Sequence, residues 1–390
     1  MAPGRADRHQ GPSMNGFLGL FAGRQNRAAA WVSFVLAAAL VLTPLLGLHV
    51  IPGIGLSIYG VNLVGQVMCF ALLAIALDLM WGGAGVLSLG HGLFFALGGY
   101  LAAMHLIKTA YAQTQILPDF LQFMGQSAFP AFWWPFGAAS LTVLAIILLP
   151  GLLAFVFGYV SFRSRVNGVY FSIITQALTY TAMLLMFRND TGFGGNNGMT
   201  GFTTVAGLPI GGTAATVLLA MLSIAAVLAA LVGGRALLGT RFGRMLTAIR
   251  DDEARLRFLG YDTLWLKLAA WCLSAVIAAV AGALYVPQVG IINPMLLDPS
   301  LSIEVAVWVA VGGRGGLCGA VIGAVLVNTL KFWLSAAAPA IWPFVLALLV
   351  LLVVLVLPNG LMDLSQRSRA WTAAVRKIDL ARPGKARGVP

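Results

Sequence analysis

Apolar runs long enough to cross a lipid bilayer recur along this chain from Trp31 to Leu357, and that recurrence leaves few folds open. A hydrocarbon layer of about 30 Å takes about 20 helical residues to cross. No water inside it satisfies backbone polar groups, so only helices and closed barrels span it. A barrel strand would alternate apolar and polar residues, and stretches such as 346–357 do not alternate. The expected fold is therefore all-α, a polytopic transmembrane helical bundle. Composition agrees: 60% of residues are hydrophobic, 9% are charged, and the mean hydropathy is +0.92. Such a chain is dissolved mainly in lipid.

Ten membrane segments are expected, at 31–51, 58–81, 86–107, 134–159, 166–187, 214–233, 264–287, 303–311, 317–334 and 340–357. They divide the chain into a cytoplasmic N-terminal tail (1–30), a transmembrane domain (31–365) with a long polar loop at 234–262, and a basic cytoplasmic C-terminal tail (366–390). The first run is too long for a signal-peptide core and lacks a small-residue cleavage site, so it reads as a retained span. The segment at 303–311 is too short to cross unaided; it is tilted, extended by its flanks or re-entrant. Trp31, Trp81, Trp133, Trp134, Trp265, Trp333 and Trp342 fall at segment ends, where indole suits the headgroup layer.

A net charge of +12 would suggest nucleic acid in a soluble protein. Here the charges follow membrane sidedness instead. Of the 24 Lys and Arg residues, all but Lys108, Arg188, Lys267 and Lys331 lie in the two tails, at Arg163 and Arg165, between Arg235 and Arg257, or at Arg314. The positive-inside rule places those clusters in the cytosol and the connectors near Asp119, Asp190 and Asp298 outside. No nucleic-acid partner is expected. Cys69, Cys272 and Cys318 stand alone in apolar segments and read as packing residues. No phosphate-binding loop is present, since Gly384 and Lys385 lie in a polar tail, and there is no HExxH or hydrolytic carboxylate pair. No catalytic residue, metal or other cofactor is assigned to the chain.

Ionisable groups at membrane depth are costly and are pathway candidates by default: Asp78, His91, Glu304 and Lys331. Milder readings exist, because Asp78 is one turn from Trp81, Glu304 begins its segment on the outer side and Lys331 can snorkel; His91 is the stronger pathway candidate, since it follows the glycine-rich turn 82–85. The fifth segment carries Tyr170, Ser172, Thr175, Gln176, Thr179 and Tyr180, with Ser172, Gln176 and Thr179 on one helical face. Those groups need partners, either neighbouring helices or a passing polar solute. Small residues four apart (Gly92 and Ala96, Gly98 and Ala102, Gly315, Gly319 and Gly323) predict close helix contacts. The outer loop 192–198, with Gly194, Gly195, Asn196 and Asn197, reads as irregular.

The most distinctive stretch is 243–260, which predicts two short helices, the second capped by Asp251 or Asp252. Leu246, Ile249, Leu256 and Leu259 offer apolar contacts among charges. Either a partner docks there or the helices lie on the membrane surface.

That stretch resembles the coupling segment of permease subunits in ATP-binding-cassette importers, in which a Glu-Ala pair precedes a Gly; here these are Glu253, Ala254 and Gly260. The resemblance extends over most of the membrane region, through 87–100, 244–253 and 312–316, to the branched-chain amino acid permease family. It implies a type II importer-like permease in a bacterial inner membrane. Its partners would be a second homologous permease, two ATPases holding ATP and Mg, and a periplasmic solute-binding protein. It assigns coupling to Arg244, Arg250, Asp252, Glu253, Ala254 and Gly260. Stretches 117–120, 168–179 and 192–200 are similar to the urea branch, so the binding protein would be a urea-binding one, although Gly201 and Asn359–Gly360 depart from that pattern. Urea is uncharged and forms several hydrogen bonds, which suits the Ser, Thr and Gln face without a fixed charge. Branched-chain amino acids or short amides are the alternative solutes; a passive channel or intramembrane enzyme is the alternative of another class.

Overall fold

The computed structural model describes residues 24–48, 57–123, 125–126, 128–166, 168–356 and 360–362. They form α1 (Arg24–Gly47), α2 (Ile58–Ala84), α3 (His91–Thr114), α4 (Asp119–Phe123), α5 (Ala139–Arg163), α6 (Val169–Phe187), α7 (Thr213–Gly239), α8 (Arg241–Phe258), α9 (Thr263–Val289), α10 (Pro299–Gly312), α11 (Cys318–Ala337) and α12 (Trp342–Val356). Eight of these, α1 to α3, α5 to α7, α9 and α11, are long and apolar enough to cross a membrane. The protein is an all-α polytopic membrane bundle.

Three expected boundaries move. Helix α1 starts at Arg24, inside the expected tail, while the C-terminal tail and the end of the last segment lie outside the described residues. The expected third segment starts at His91 rather than Val86, because 86–90 is irregular. Gly82 and Gly83 are not part of a turn; they belong to the last turn of α2, which Gly85 ends at φ 75°. The weak eighth segment is a 14-residue helix, longer than 303–311 because Asp298 caps its first turn through Ser300 N (2.7 Å) and Pro299 opens it. Together α10 and the short α12 account for the difference between ten expected segments and eight long helices.

Between helices in lipid there is little hydrophobic gain, so backbone proximity and hydrogen bonds must hold the bundle. The small residues supply that proximity. Gly98 of α3 lies against the Ala279 backbone of α9, and Gly282 of α9 against the Phe95 carbonyl of α3. Gly319 and Gly323 of α11 meet Gly312 and Trp308 of α10, whereas Gly315 lies in the preceding turn against Gly82. Helix α2 is the most enclosed span, with Leu73, Ala74, Ala76, Leu77 and Asp78 fully buried. By contrast α5 and α6 show mostly exposed apolar faces.

The two ends of the bundle differ. At one end Arg163 and Arg165 share a recess with Arg257, Arg250 reaches Gly82, and Arg314 stands 5.0 Å over the Trp81 ring. The other end carries Asp119, the Arg188–Asp190 pair, Asp298 and a small hairpin, Thr204–Val205 with Leu208–Pro209. The chain reverses there through Ala206 and Gly207, both at positive φ, a turn that sequence reading did not anticipate.

Candidate functional site

The polar loop folds as a lever fixed to the bundle. Thr240 caps α8, and Gly243 approaches Leu238 so closely that a Cβ there would collide with its backbone. The helix breaks at Asp252 (φ −162°, ψ 94°), whose carboxylate accepts Arg255 N at 3.0 Å. Two helical halves with an aspartate cap between them are what the sequence implied.

Arg250 ends the first half and is spent inward. Its Nη1 donates to the Gly82 carbonyl at the end of α2 (2.8 Å), and its side chain covers Gly85. One turn before Gly82, the buried Asp78 carboxylate accepts the amides of Gly315 and Leu317, each at 2.8 Å. Asp78 therefore holds, from another helix, the turn that leads into α11. Charge-assisted bonds of this kind contribute about 1.5–3 kcal/mol each, which offsets part of the cost of burying the carboxylate. Gly82 has no room for a side chain, because a Cβ there would strike Asp78 and Gly315. The end of α8, the end of α2 and the turn before α11 thus meet at one junction.

Glu253, in the second half, accepts from Lys267 (2.7 Å), Arg257 (2.6 Å) and Thr263 (2.8 Å). Burial pushes its carboxyl up, but these partners outweigh burial and hold it below the usual carboxylate range. Lys267 is itself buried and lies 5.1 Å from the Phe162 ring centroid. Of the residues assigned to coupling, Arg250, Asp252 and Glu253 hold the lever together. Arg244 and Ala254 are exposed, and Gly260 adopts φ 85°, which favours glycine. Leu246, Ile249 and Leu256 turn into the core rather than outward. The apolar surface offered to a partner is instead Phe258, 91% exposed, with Leu259, 70% exposed. Sequence reading missed Phe258. The signal was present, because the turn that buries Leu256 sends Phe258 to the opposite side.

At membrane depth, the polar stripe of α6 is divided. Ser172 Oγ donates to Leu87 O (2.8 Å), and Thr175 Oγ1 accepts Leu89 N (3.1 Å), so both fasten the irregular start of α3. Thr179 bonds back to Thr175 O (2.9 Å), while Gln176 Oε1 is buried with no partner among the described residues. Tyr170 and Tyr180 lie on the exposed face. His91 is enclosed between helices, its Nε2 against Ser274 Oγ, which itself bonds Ala76 O. It packs against the Trp271 ring.

Glu304 of α10 and Lys331 of α11 form an ion pair at 2.6 Å. Lys331 does not snorkel: it turns to Glu304 and lies 5.6 Å from the Trp342 ring centroid. One helical turn from each, Trp308 Nε1 and Asn328 Oδ1 are buried without partners among the described residues. In the outer loop Gly194 and Gly195 are buried and take positive φ, and Met199 pairs with Ile292 (2.7 and 3.1 Å), so the loop is clamped onto the turn after α9. Asn196 and Asn197 project from it, exposed.

The family model described as branched-chain amino acid transport system / permease component matches residues 59–357, from α2 through α12. The high-affinity branched-chain amino acid transport system permease protein LivM of Escherichia coli (strain K12) is 26% identical over 288 residues, covering 68% of this chain and 61% of LivM. The autoinducer 2 import system permease protein LsrC of Klebsiella pneumoniae is 34% identical over 148 residues, which is 36% of this chain and 43% of LsrC. The chain thus spans less than two thirds of the length of these relatives. No solved structure matches. With the family model covering most of the spanning helices and the lever between α7 and α9, the chain belongs to the family of branched-chain amino acid transport system permease components.

Proposed function

We propose that this chain is the membrane permease subunit of an ATP-binding-cassette importer, with urea as its first-choice solute. It forms half of a passage with a second homologous permease. Two ATPases, holding ATP and Mg, act on α8, and a periplasmic urea-binding protein delivers solute near Asn196 and Asn197. The assembly sits in a bacterial inner membrane with both termini of this chain in the cytoplasm.

The observation that carries this reading is the junction of Arg250, Gly82, Asp78 and Gly315. A partner closing on Phe258 and Leu259 displaces α8. Through Arg250 that displacement reaches the end of α2, and through Asp78 the turn that starts α11. Because α10 and α11 touch backbone to backbone at Gly312, Gly319 and Gly323, they follow as one body. A small push at one end is thereby converted into a helix-pair shift, the kind of motion by which packed membrane proteins alternate access. For a neutral solute, Gln176 with its unpartnered oxygen offers a hydrogen-bond site without a fixed charge.

A second reading, an amino acid solute, is favoured by the Glu304–Lys331 pair, whose two charges match a zwitterion. The two are separated by reconstituting the complete importer in proteoliposomes and measuring ATP-driven uptake of labelled urea and labelled leucine side by side. Urea uptake that needs both ATP and the binding protein supports the first reading. Leucine uptake alone replaces it with the second, and uptake without ATPase activity overturns both.

A further inference from the structure

We propose that the recess between the end of α5 and the start of α9 binds the phosphate headgroup of an anionic phospholipid. The recess encloses about 550 Å³, and its walls bring together Arg163, Arg165 and Arg257, with Tyr261, Asp262 and Thr263. Three guanidinium groups therefore face a single carboxylate. That carboxylate is already engaged, because Asp262 caps α9 by accepting Leu264 N at 3.0 Å. Arg257 is engaged too, bonding Glu253 and Thr263, which fixes it in the wall. Arg163 and Arg165 are exposed and have no ion-pair partner among the described residues.

The depth of the recess selects a lipid over a soluble anion. Tyr159, one turn before Arg163, and Trp265, beside Leu264, stand with ring centroids 6.1 Å apart, and both are open to the surroundings. Phenol and indole rings in that position mark the headgroup layer. Toward the bilayer centre, α5 shows an unbroken apolar face through Leu148, Leu152, Phe155, Val156 and Val160. A phospholipid whose chains lie along that face brings its phosphate to Arg163 and Arg165. A basic pocket beside spanning helices is the feature that holds anionic headgroups, and each basic residue near the surface strengthens the attraction severalfold. Since Arg257 and Tyr261 also belong to the lever around α8, an occupied recess would brace the second half of that lever. The site rests on position and charge and does not depend on which solute is carried.

The test uses the full chain in nanodiscs of phosphatidylcholine containing increasing phosphatidylglycerol. One readout is the tryptophan quenching by brominated lipid that is lost on Trp265→Phe, which isolates Trp265 from the other nine tryptophans; another is lipid retained in native mass spectrometry. Brominated phosphatidylglycerol is expected to quench more strongly than brominated phosphatidylcholine at equal content. The double variant Arg163→Gln, Arg165→Gln is expected to lose that preference and to retain about tenfold less phosphatidylglycerol. The variant Arg163→Lys, Arg165→Lys keeps the charge and should keep most of the preference, which separates loss of binding from loss of folding. Equal quenching by both lipids, or equal retention by the Gln variant, overturns the proposal. Displacement of the lipid by millimolar inorganic phosphate assigns the recess to a soluble anion and overturns it as well. Exclusion of phosphatidylglycerol once the ATPases are bound does the same, giving the recess to a protein partner.

Discussion

Two lysine–carboxylate pairs lie among the described residues, and they are built differently. Glu253 with Lys267 sits beside the lever, where one carboxylate is shared by a lysine, an arginine and a threonine. Glu304 with Lys331 sits between α10 and α11, at a similar distance, with the ring of Trp342 beside Lys331 and Asn328 Oδ1, unpartnered among the described residues, a turn away. The first pair is the buried end of a shared network and closes the fold. The second is sparsely partnered, in a place where charge is costly, and such economy is characteristic of groups kept for a task. Similar chemistry thus forms a shared staple in one place and a lone ion pair in the other.

The largest effect should follow from breaking the staple. Lys267→Met removes the buried partner of Glu253, and loss of one member of a buried pair costs about 3–5 kcal/mol. Thermal unfolding in detergent should show a strongly destabilised permease; unchanged unfolding would mean that Arg257 and Thr263 suffice and the pair is not a staple. Glu304→Gln should be milder for folding, about 1–3 kcal/mol, but selective for transport. Under the urea reading, urea uptake persists while any leucine uptake falls. Equal loss of both would show that the second pair is a staple like the first.

Next in size is Phe258→Ala, which leaves the staple intact and removes only exposed apolar surface. We expect ATP-driven uptake to fall about tenfold, as for a truncated anchor residue at an interface, with stability within about 0.5 kcal/mol. Full activity would move the docking surface elsewhere. The smallest effect concerns pH. The Glu253 carboxyl is held below its ordinary range, so its contribution is fully present above that range and is lost progressively as pH falls from there through the lowered native value. The protection factor across 253–260, corrected for the intrinsic pH dependence of amide exchange, should begin to fall near the ordinary glutamate value of pH ~4.3 and keep falling below it. The Glu253→Gln protein should show no such step.

Much of this architecture is legible in the chain itself. Length and apolarity set the spans, and the Asp252 cap divides the lever, because both signals are local. What stayed hidden depends on partners far away in sequence. Asp78 looked like a charge near a membrane surface until Gly315 and Leu317 were found at its oxygens. Ser172 and Thr175 left neighbouring helices and a passing solute equally open as partners; in the fold they secure residues 87 and 89 of another segment. Leu256 and Phe258 are both apolar and two residues apart; only the direction of the helix decides that one is core and the other is surface.

The hold that α2 keeps on the turn before α11 also bears on how such a protein is made. Asp78 precedes the two amides it satisfies by 237 and 239 residues, so a chain synthesised from its N-terminus places the acceptor in the membrane long before the donors emerge. Until then the carboxylate has no such partner within the bilayer, and the last helices arrive at a berth already prepared. Assembly order is thereby written into a pair of hydrogen bonds, and a permuted gene that delivered α11 before α2 would insert a helix whose first turn has nothing to receive it.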